Sequence, residues 1–405
     1  MTTKRILFLT PQLPYPPHQG SSLRNFGIIS GLAKRGHVIT LLSLIDAGQP
    51  APEDTPLIDI CESLQTIPSP KRQITGRLFD LIRGYADMER RLWSPEFDAA
   101  LNNLLNQSTF DAIHIEGLEM IPYLDTLVKS KNKDTILVYD AYNAEYVLQQ
   151  RIAAQDLRQP RRWPFALYSY IQAHRLEKLE TRAGNSVDRL FVVSNTDAEH
   201  LRKLHTKAQI TVINNAILTD TYLNTSFEPA DIPRPSLLFT GSMSFRPNVD
   251  AVLWFAEEVM PLIQRAMPEI HFTIVGKNPH PRLNALRERP DITLTDFVPN
   301  VRPYIFATDV YVAPLLAGGG TRFKLLEAMA SKRAIVSTSM GAEGLKIETG
   351  NQMILADTPQ NFSEAVLMLL QYPESRVEMG QRAADHVRKH FDWEAIIPRI
   401  EAAYP

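Results

Sequence analysis

Short, unbroken apolar runs recur down the whole chain, each followed by a loop and then a stretch of helical period. The first is Arg5-Ile6-Leu7-Phe8-Leu9-Thr10. A strand that is apolar at every position, rather than at every second one, is buried on both faces. That happens in parallel sheets covered by helices on each side. The next segment fits. Leu23, Phe26, Ile28, Ile29 and Leu32 give residues 23–35 an apolar helical side, Gly36 ends it, and 37–43 is a second strand. This is a βαβ unit. Further strands are expected at 110–117, 135–140, 189–194 and 210–216, with a long amphipathic helix at 165–184. Between 219 and 235 the period is lost and polar residues and prolines gather, which marks a linker. A second series of strands then begins, at 236–241, 270–277, 292–298, 309–314 and 334–338. A chain of 405 residues suits two domains better than one. The expected division is 1–220, a linker at 221–235, and 236–390.

Bulk numbers exclude several classes. A net charge of −2 argues against a nucleic-acid binder working by bulk electrostatics. The single cysteine, Cys61, precludes an intramolecular disulfide and fits a reducing compartment. No apolar run is long enough to span a bilayer. Lys4 and Arg5 precede an apolar run that stops at Pro11, a first strand rather than a signal peptide. A cytoplasmic protein is expected. Two basic and aromatic segments add peripheral membrane contact as an alternative to plain solvated faces: Lys71, Arg72, Arg77, Arg83, Arg90 and Arg91 with Leu78, Phe79, Leu81, Ile82 and Trp93, and Arg158, Arg161, Arg162 with Trp163.

The most informative stretch lies at 311–338. An apolar strand ends at Pro314, and Gly318-Gly319-Gly320 follow. A helix is expected to open at Thr321, a good N-cap, with Leu325, Leu326, Ala328 and Met329 on its buried side. Glycines let a ligand approach bare main chain, and a helix start presents unpaired N–H groups that suit an anion. Arg322 and Lys324 place cations where the helix dipole disfavours them, which a phosphate would explain. Glu327 puts a carboxylate roughly 9 Å further along the axis. Phosphate at the loop and hydroxyl at the carboxylate match the outline of a nucleotide.

With Glu327-Ala328-Met329-Ala330, this stretch resembles the donor site of retaining glycosyltransferases of family 4. One departure matters: a first glutamate usually stands eight positions earlier, and that position here is Gly319. The resemblance implies the α/β GT-B fold, two Rossmann-like domains with parallel sheets facing a central cleft. It implies a retaining glycosyltransferase of hexosyltransferase type that takes a nucleotide-sugar and an acceptor. No cofactor or metal is implied, since no Asp-x-Asp motif stands at a strand end. On the donor side it implies Gly241, Lys277, Phe297, Val298, Gly319, Gly320, Thr321 and Glu327, with Gly20 and Ser21 from the N-terminal loop and Arg24 behind them. His18 in that loop is a further candidate. His114, Glu116, Arg246, Arg322 and Lys324 become the catalytic candidates; His114-Ile115-Glu116 stands where relatives carry His-x-His. Asp140, Asn143 and Glu145 are expected on the acceptor side, although Asp140 and Asn143 would serve equally as caps of the next helix. The family also implies that Phe391-Asp392-Trp393 crosses back, so that 391–405 packs on the N-terminal domain. A nucleotide-sugar epimerase of the same fold, or a catalytically degenerate sugar-nucleotide binder, fits the same motifs. Sugar, base and acceptor are left open.

Overall fold

The computed structural model describes residues 2–17, 20–71, 80, 83–223, 228–317 and 321–404. The chain divides into two compact units, Met1–Asn215 with Trp393–Pro405, and Ala216–Asp392.

Unit 1 is built on seven strands: β1 (Arg5–Thr10), β2 (Val38–Ile45), β3 (Ser63–Pro68), β4 (Ala112–Glu116), β5 (Ile136–Ala141), β6 (Arg189–Val192) and β7 (Gln209–Val212). Their order is β3-β2-β1-β4-β5-β6-β7, and all pairs are parallel. Every residue of β4 is buried, including the polar His114 and Glu116. The edge strand β3 escaped the sequence reading. It is half-exposed, and Ser63, Gln65 and Thr66 interrupt it, so it carries no apolar run. Among the helices are α1 (Gly20–Lys34), α2 (Glu145–Leu157) and α3 (Trp163–Ser186).

Unit 2 holds six strands: β8 (Ser236–Thr240), β9 (His271–Val275), β10 (Ile292–Leu294), β11 (Val310–Ala313), β12 (Ile335–Ser337) and β13 (Ile354–Leu355). The order is β10-β9-β8-β11-β12-β13, again parallel throughout. The strand order reverses between β8 and β11, and ligands of open α/β sheets sit outside the carboxyl ends of strands at such a point. Thr240 and Tyr311, both buried, lock β8 to β11 there with a 2.7 Å hydroxyl–hydroxyl bond. Two helices bear on the site, α4 (Arg246–Trp254) and α5 (Phe323–Ala330). The helix expected to run unbroken to Met267 instead passes through a π-turn at Phe255–Val259 into Met260–Ala266. Pro261 has no N–H to continue the ordinary ladder.

The chain enters and leaves unit 2 side by side. Ile217 pairs with Asp392, its N–H donating to Phe391 O at 2.9 Å, and the Asp392 carboxylate accepts from the N–H of Thr219 at 3.0 Å. Beyond Asp392 the last helix, α6 (Trp393–Glu401), packs in unit 1 against α1. Two glycines one turn apart on α1 permit this. A Cβ on Gly27 would lie 2.0 Å from Nε1 of Trp393, and one on Gly31 would lie 2.5 Å from Cγ1 of Ile397. An indole ring cannot yield that much in a packed core. Gly27→Ala is therefore expected to destabilise unit 1 by about 1–3 kcal/mol, although alanine is the better helix former. Urea unfolding followed by tryptophan fluorescence measures it, and a stabilised variant would show that α6 does not pack this way.

Candidate functional site

In unit 2, the end of β8 is bare main chain. Gly241 follows it, and its N–H donates to Val275 O at 3.0 Å. Gly276, at the end of β9, comes so close that a Cβ there would sit 1.7 Å from Gly241 O. No other residue fits at 276. The ammonium of Lys324 occupies the space beside Gly241: a Cβ on Gly241 would meet Lys324 Nζ and Asn248 Nδ2 at 2.7 Å each. Lys324 donates to Asn248 Oδ1 at 2.8 Å and lies 4.1 Å above the centre of the Phe239 ring. The Asn248 amide is oriented by its own donation to Ser242 O at 2.9 Å. The lysine retains some surface, but its ammonium is packed against ring, glycine and amide. That desolvation, with repulsion from Arg322 second, pushes its pKa down to about 7.

Glu327 lies on α5 one turn past its start, near Lys324. Tyr222 donates its hydroxyl to Glu327 Oε1 at 2.8 Å, and the Arg302 guanidinium lies 5.7 Å from the Tyr222 ring centre. Burial raises the Glu327 carboxyl; the Tyr222 bond and Lys324 oppose this. Thr321 is not the cap that its sequence position suggested. The helix starts two residues later, with Arg322 in an extended N-cap conformation (φ −85, ψ 111) that makes no side-chain cap bond. Thr321 is instead buried, and Arg322 donates to Met340 O at 3.4 Å. Gly318, Gly319, Gly320 and His18 lie outside the described residues, as do Arg72, Arg77, Leu78, Phe79, Leu81 and Ile82.

Arg246 opens α4 and pairs with Asp250 at 3.4 Å, a carboxylate that also accepts from Arg282 at 2.6 Å. Lys277 stands next to the Gly241 turn, where its carbonyl accepts from the N–H of Met243 at 3.0 Å. Phe297 is 62% exposed in the loop after β10, while Val298 packs on the core beneath α5. The strand expected over 292–298 stops at Leu294, which leaves both in that loop.

In unit 1, the parallel register sets Glu116 opposite Asp140 at the ends of β4 and β5. Both are fully buried, as are His114 and Arg24. Arg24 grips Asp140 with two bonds, of 2.7 and 2.8 Å, and also donates to Ile213 O and Asn215 Oδ1. His114 lies 3.2 Å from Glu116 Oε1 through Nδ1 and 2.8 Å from the Tyr404 hydroxyl through Nε2. The Asn25 amide, turned to satisfy both its ends, donates to Glu116 Oε2 at 3.0 Å and to Ser21 O at 3.2 Å. Burial pushes Glu116 up to about 7 and Asp140 up to about 6, in each case against the pull of Arg24. Burial also pushes His114 down to about 3, so its imidazole is neutral. Arg24 and Asp140 form the ion pair of this cluster, and burial raises the neighbouring Glu116 carboxyl as well. As they stand, His114, Glu116 and Asp140 have no surface to offer a ligand.

Gly20 and Ser21 form the first turn of α1, with Ser21 Oγ accepting from Gln12 at 2.9 Å. Asn143 donates to Glu145 Oε1 at 2.9 Å, and burial pushes the Glu145 carboxyl up to about 7. Neither Asp140 nor Asn143 caps α2. Its N-cap is Ala144, and its first amides are taken by Asp197 and Glu180, which accept from Ala144 at 3.0 Å, Glu145 at 2.9 Å and Tyr146 at 3.1 Å. Those two carboxylates come from elements 34 or more residues away, beyond the reach of a local cap pattern.

Comparison with known proteins places both halves of the chain in related groups. Residues 20–221 match the family described as Glycosyltransferase Family 4, and residues 234–372 match Glycosyl transferases group 1. The chain belongs to the glycosyltransferases. An uncharacterized protein in the cps region of Klebsiella pneumoniae is 22% identical to this glycosyltransferase over 186 residues, 43% of this chain and 47% of that protein. The match thus spans about half the length of that relative. Two solved structures superpose over 98% of both chains: sucrose-phosphate synthase of Thermosynechococcus elongatus, at TM-score 0.72 and 15% identity, and Anabaena HepE in complex with UDP and glucose, at 0.67 and 14%. The glycosyltransferase has the GT-B fold, with a seven-stranded and a six-stranded parallel sheet. Tyr222, Asn248 and Phe239 are partners of the candidate residues Glu327 and Lys324 that the motif did not reveal. Tyr222 falls in the expected linker, and nothing in its local sequence points to Glu327.

Proposed function

We propose that the protein transfers a sugar from a nucleotide-diphosphate sugar to an acceptor, with retention of configuration. The observation that carries this reading is Lys324, a half-desolvated cation lodged on bare main chain at the switch point of unit 2, with a neutral amide as its hydrogen-bond partner. A diphosphate is the ligand that such a place favours. As the glycosidic bond breaks, negative charge gathers on the departing diphosphate, and a preorganised cation stabilises it at that moment. Arg322, Arg246 and Lys277 add charge, Gly241, Gly319 and Gly320 open the approach, and Thr321 shapes the loop. Glu327, held by Tyr222, would accept from the ribose hydroxyls. Phe297 and Val298 would border the base. Gly20 and Ser21 supply a second helix start for the phosphates. The acceptor falls to unit 1, with Asn143 and Glu145 on that side, while the buried His114, Glu116 and Asp140 fix the strand ends behind them and would not touch it. The UDP complex of HepE supports UDP as the first nucleotide to try. No metal or cofactor is needed in this scheme.

The pH dependence of binding tests it. In the free protein Lys324 has a pKa of about 7. A bound diphosphate raises it, so binding takes up a proton at and above neutral pH. Affinity is then full below about pH 7 and falls as pH rises, by up to about tenfold per unit, until the pKa of the complex is passed. Calorimetric titration with UDP in two buffers of different ionisation heat measures the uptake. Flat affinity between pH 6 and about 9, with no proton uptake, would remove Lys324 from the diphosphate site. NMR of the product anomer during turnover then reads the stereochemistry, and formation of a new epimer from donor alone would select the epimerase.

A further inference from the structure

The first three turns of α3 are built inside out. The face packed on unit 1 is made of small or polar residues, with Ala166, Ser169, Gln172 and Ala173 buried. The large apolar side chains face solvent: Trp163 is 57% exposed, Phe165 64%, Leu167 62%, Tyr168 44%, Tyr170 68% and Ile171 37%. An ordinary surface helix carries polar residues there. Leu157, at the end of α2 and 61% exposed, extends the apolar surface. Single exposed apolar residues need no explanation, but this many in succession mark a contact surface.

The charge beside it identifies the partner. From 157 to 176 the sequence holds Arg158, Arg161, Arg162 and Arg175 and no acidic residue. Arg162 is paired with Asp156 at 2.9 Å, and Arg175 donates to Tyr85 O at 3.0 Å. Arg158 and Arg161 are exposed at the start of the patch. Tyrosine and tryptophan, with an apolar body and a polar tip, suit the boundary between headgroups and acyl chains. None of the helices among the described residues is long and apolar enough to cross a membrane. A second copy of the chain fits less well, because a two-fold contact through this face would bring Arg158 and Arg161 of both copies into one interface, and the 157–176 segment has no carboxylate to meet them.

We infer that the Leu157–Ile171 face of unit 1 is an interfacial surface that docks on an anionic lipid bilayer, the aromatic side chains inserting and Arg158 and Arg161 meeting lipid phosphates. The surface belongs to unit 1 and involves none of the candidate donor residues, so it does not depend on the transferase reading.

Co-sedimentation of the whole protein with vesicles tests it, using phosphatidylcholine alone and phosphatidylcholine mixed with phosphatidylglycerol. The protein should bind the mixed vesicles at least about tenfold more tightly, and added salt should weaken binding. The double variant Arg158→Glu/Arg161→Glu should lose about tenfold or more on the mixed vesicles. The triple variant Trp163→Ser/Phe165→Ser/Tyr170→Ser should lose binding to them while keeping its thermal unfolding midpoint and UDP affinity. Failure of the unmodified protein to bind mixed vesicles, or equal binding by the variants, overturns the inference. So does a concentration-dependent dimer in ultracentrifugation that the triple variant dissolves without any vesicle binding in the parent; that result would make the face a self-association surface.

Discussion

Arg24→Met is expected to cost unit 1 about 3–5 kcal/mol, a large share of the stability of a domain this size. The guanidinium is 1% exposed and its partner Asp140 0%. Removing it leaves a buried carboxylate beside Glu116 without its cation, and strips Ile213 O and Asn215 Oδ1 of a donor. The sign of the pH dependence makes the cause visible. Without Arg24, Asp140 rises further above an unfolded-state carboxyl, so the folded variant binds more protons than the unfolded chain. Stability from such a group is present in acid and lost as pH rises through the folded pKa. The deficit should therefore be smallest in acid and grow toward neutrality. Urea titration at several pH values, with hydrogen exchange to separate unit 1 from unit 2, measures it. Arg24→Met/Asp140→Leu should recover much of the loss, because removing both charges is far cheaper than removing one. A single variant within about 0.5 kcal/mol of the parent at neutral pH would mean the pair is not buried as the structure has it.

Lys324→Ala is expected to lower turnover by about 10²–10³-fold, with a smaller loss of donor-nucleotide affinity. The asymmetry follows from charge. A nucleotide-sugar already carries a charged diphosphate, so the lysine contributes to ground-state binding. The departing nucleotide carries one more charge, and the lysine contributes more there. Arg322→Ala should act in the same direction, although Arg322 also donates to Met340 O, so part of its effect is structural. The measurement is kcat and KM separately, together with the UDP dissociation constant. A loss confined to KM would make Lys324 a binding residue only, and unchanged turnover in both variants would sink the leaving-group role.

Sequence alone determined the parallel α/β architecture, because a strand covered on both faces is apolar along its middle, as β1, β8 and β11 are between their ends. It also brought the candidate donor residues of unit 2 into one neighbourhood. The loop after β11, the cations and Glu327 lie within one short stretch, so their proximity is local. What it could not supply was every contact made by side chains far apart in the chain. Lys324 meets Phe239 and Asn248 across the sheet ends, and Tyr222 reaches Glu327 from 105 residues away. Arg24 closes on Asp140 across 116 residues, and that bond turned a strand-end carboxylate expected to serve an acceptor into one half of a buried ion pair. The start of α5 was misjudged for the same reason: a cap pattern reads local preference, while the burial of Thr321 is imposed by its surroundings. Periodicity and motif are properties of neighbours along the chain. Protonation state and partner choice are set by burial and by charges that only folding brings together.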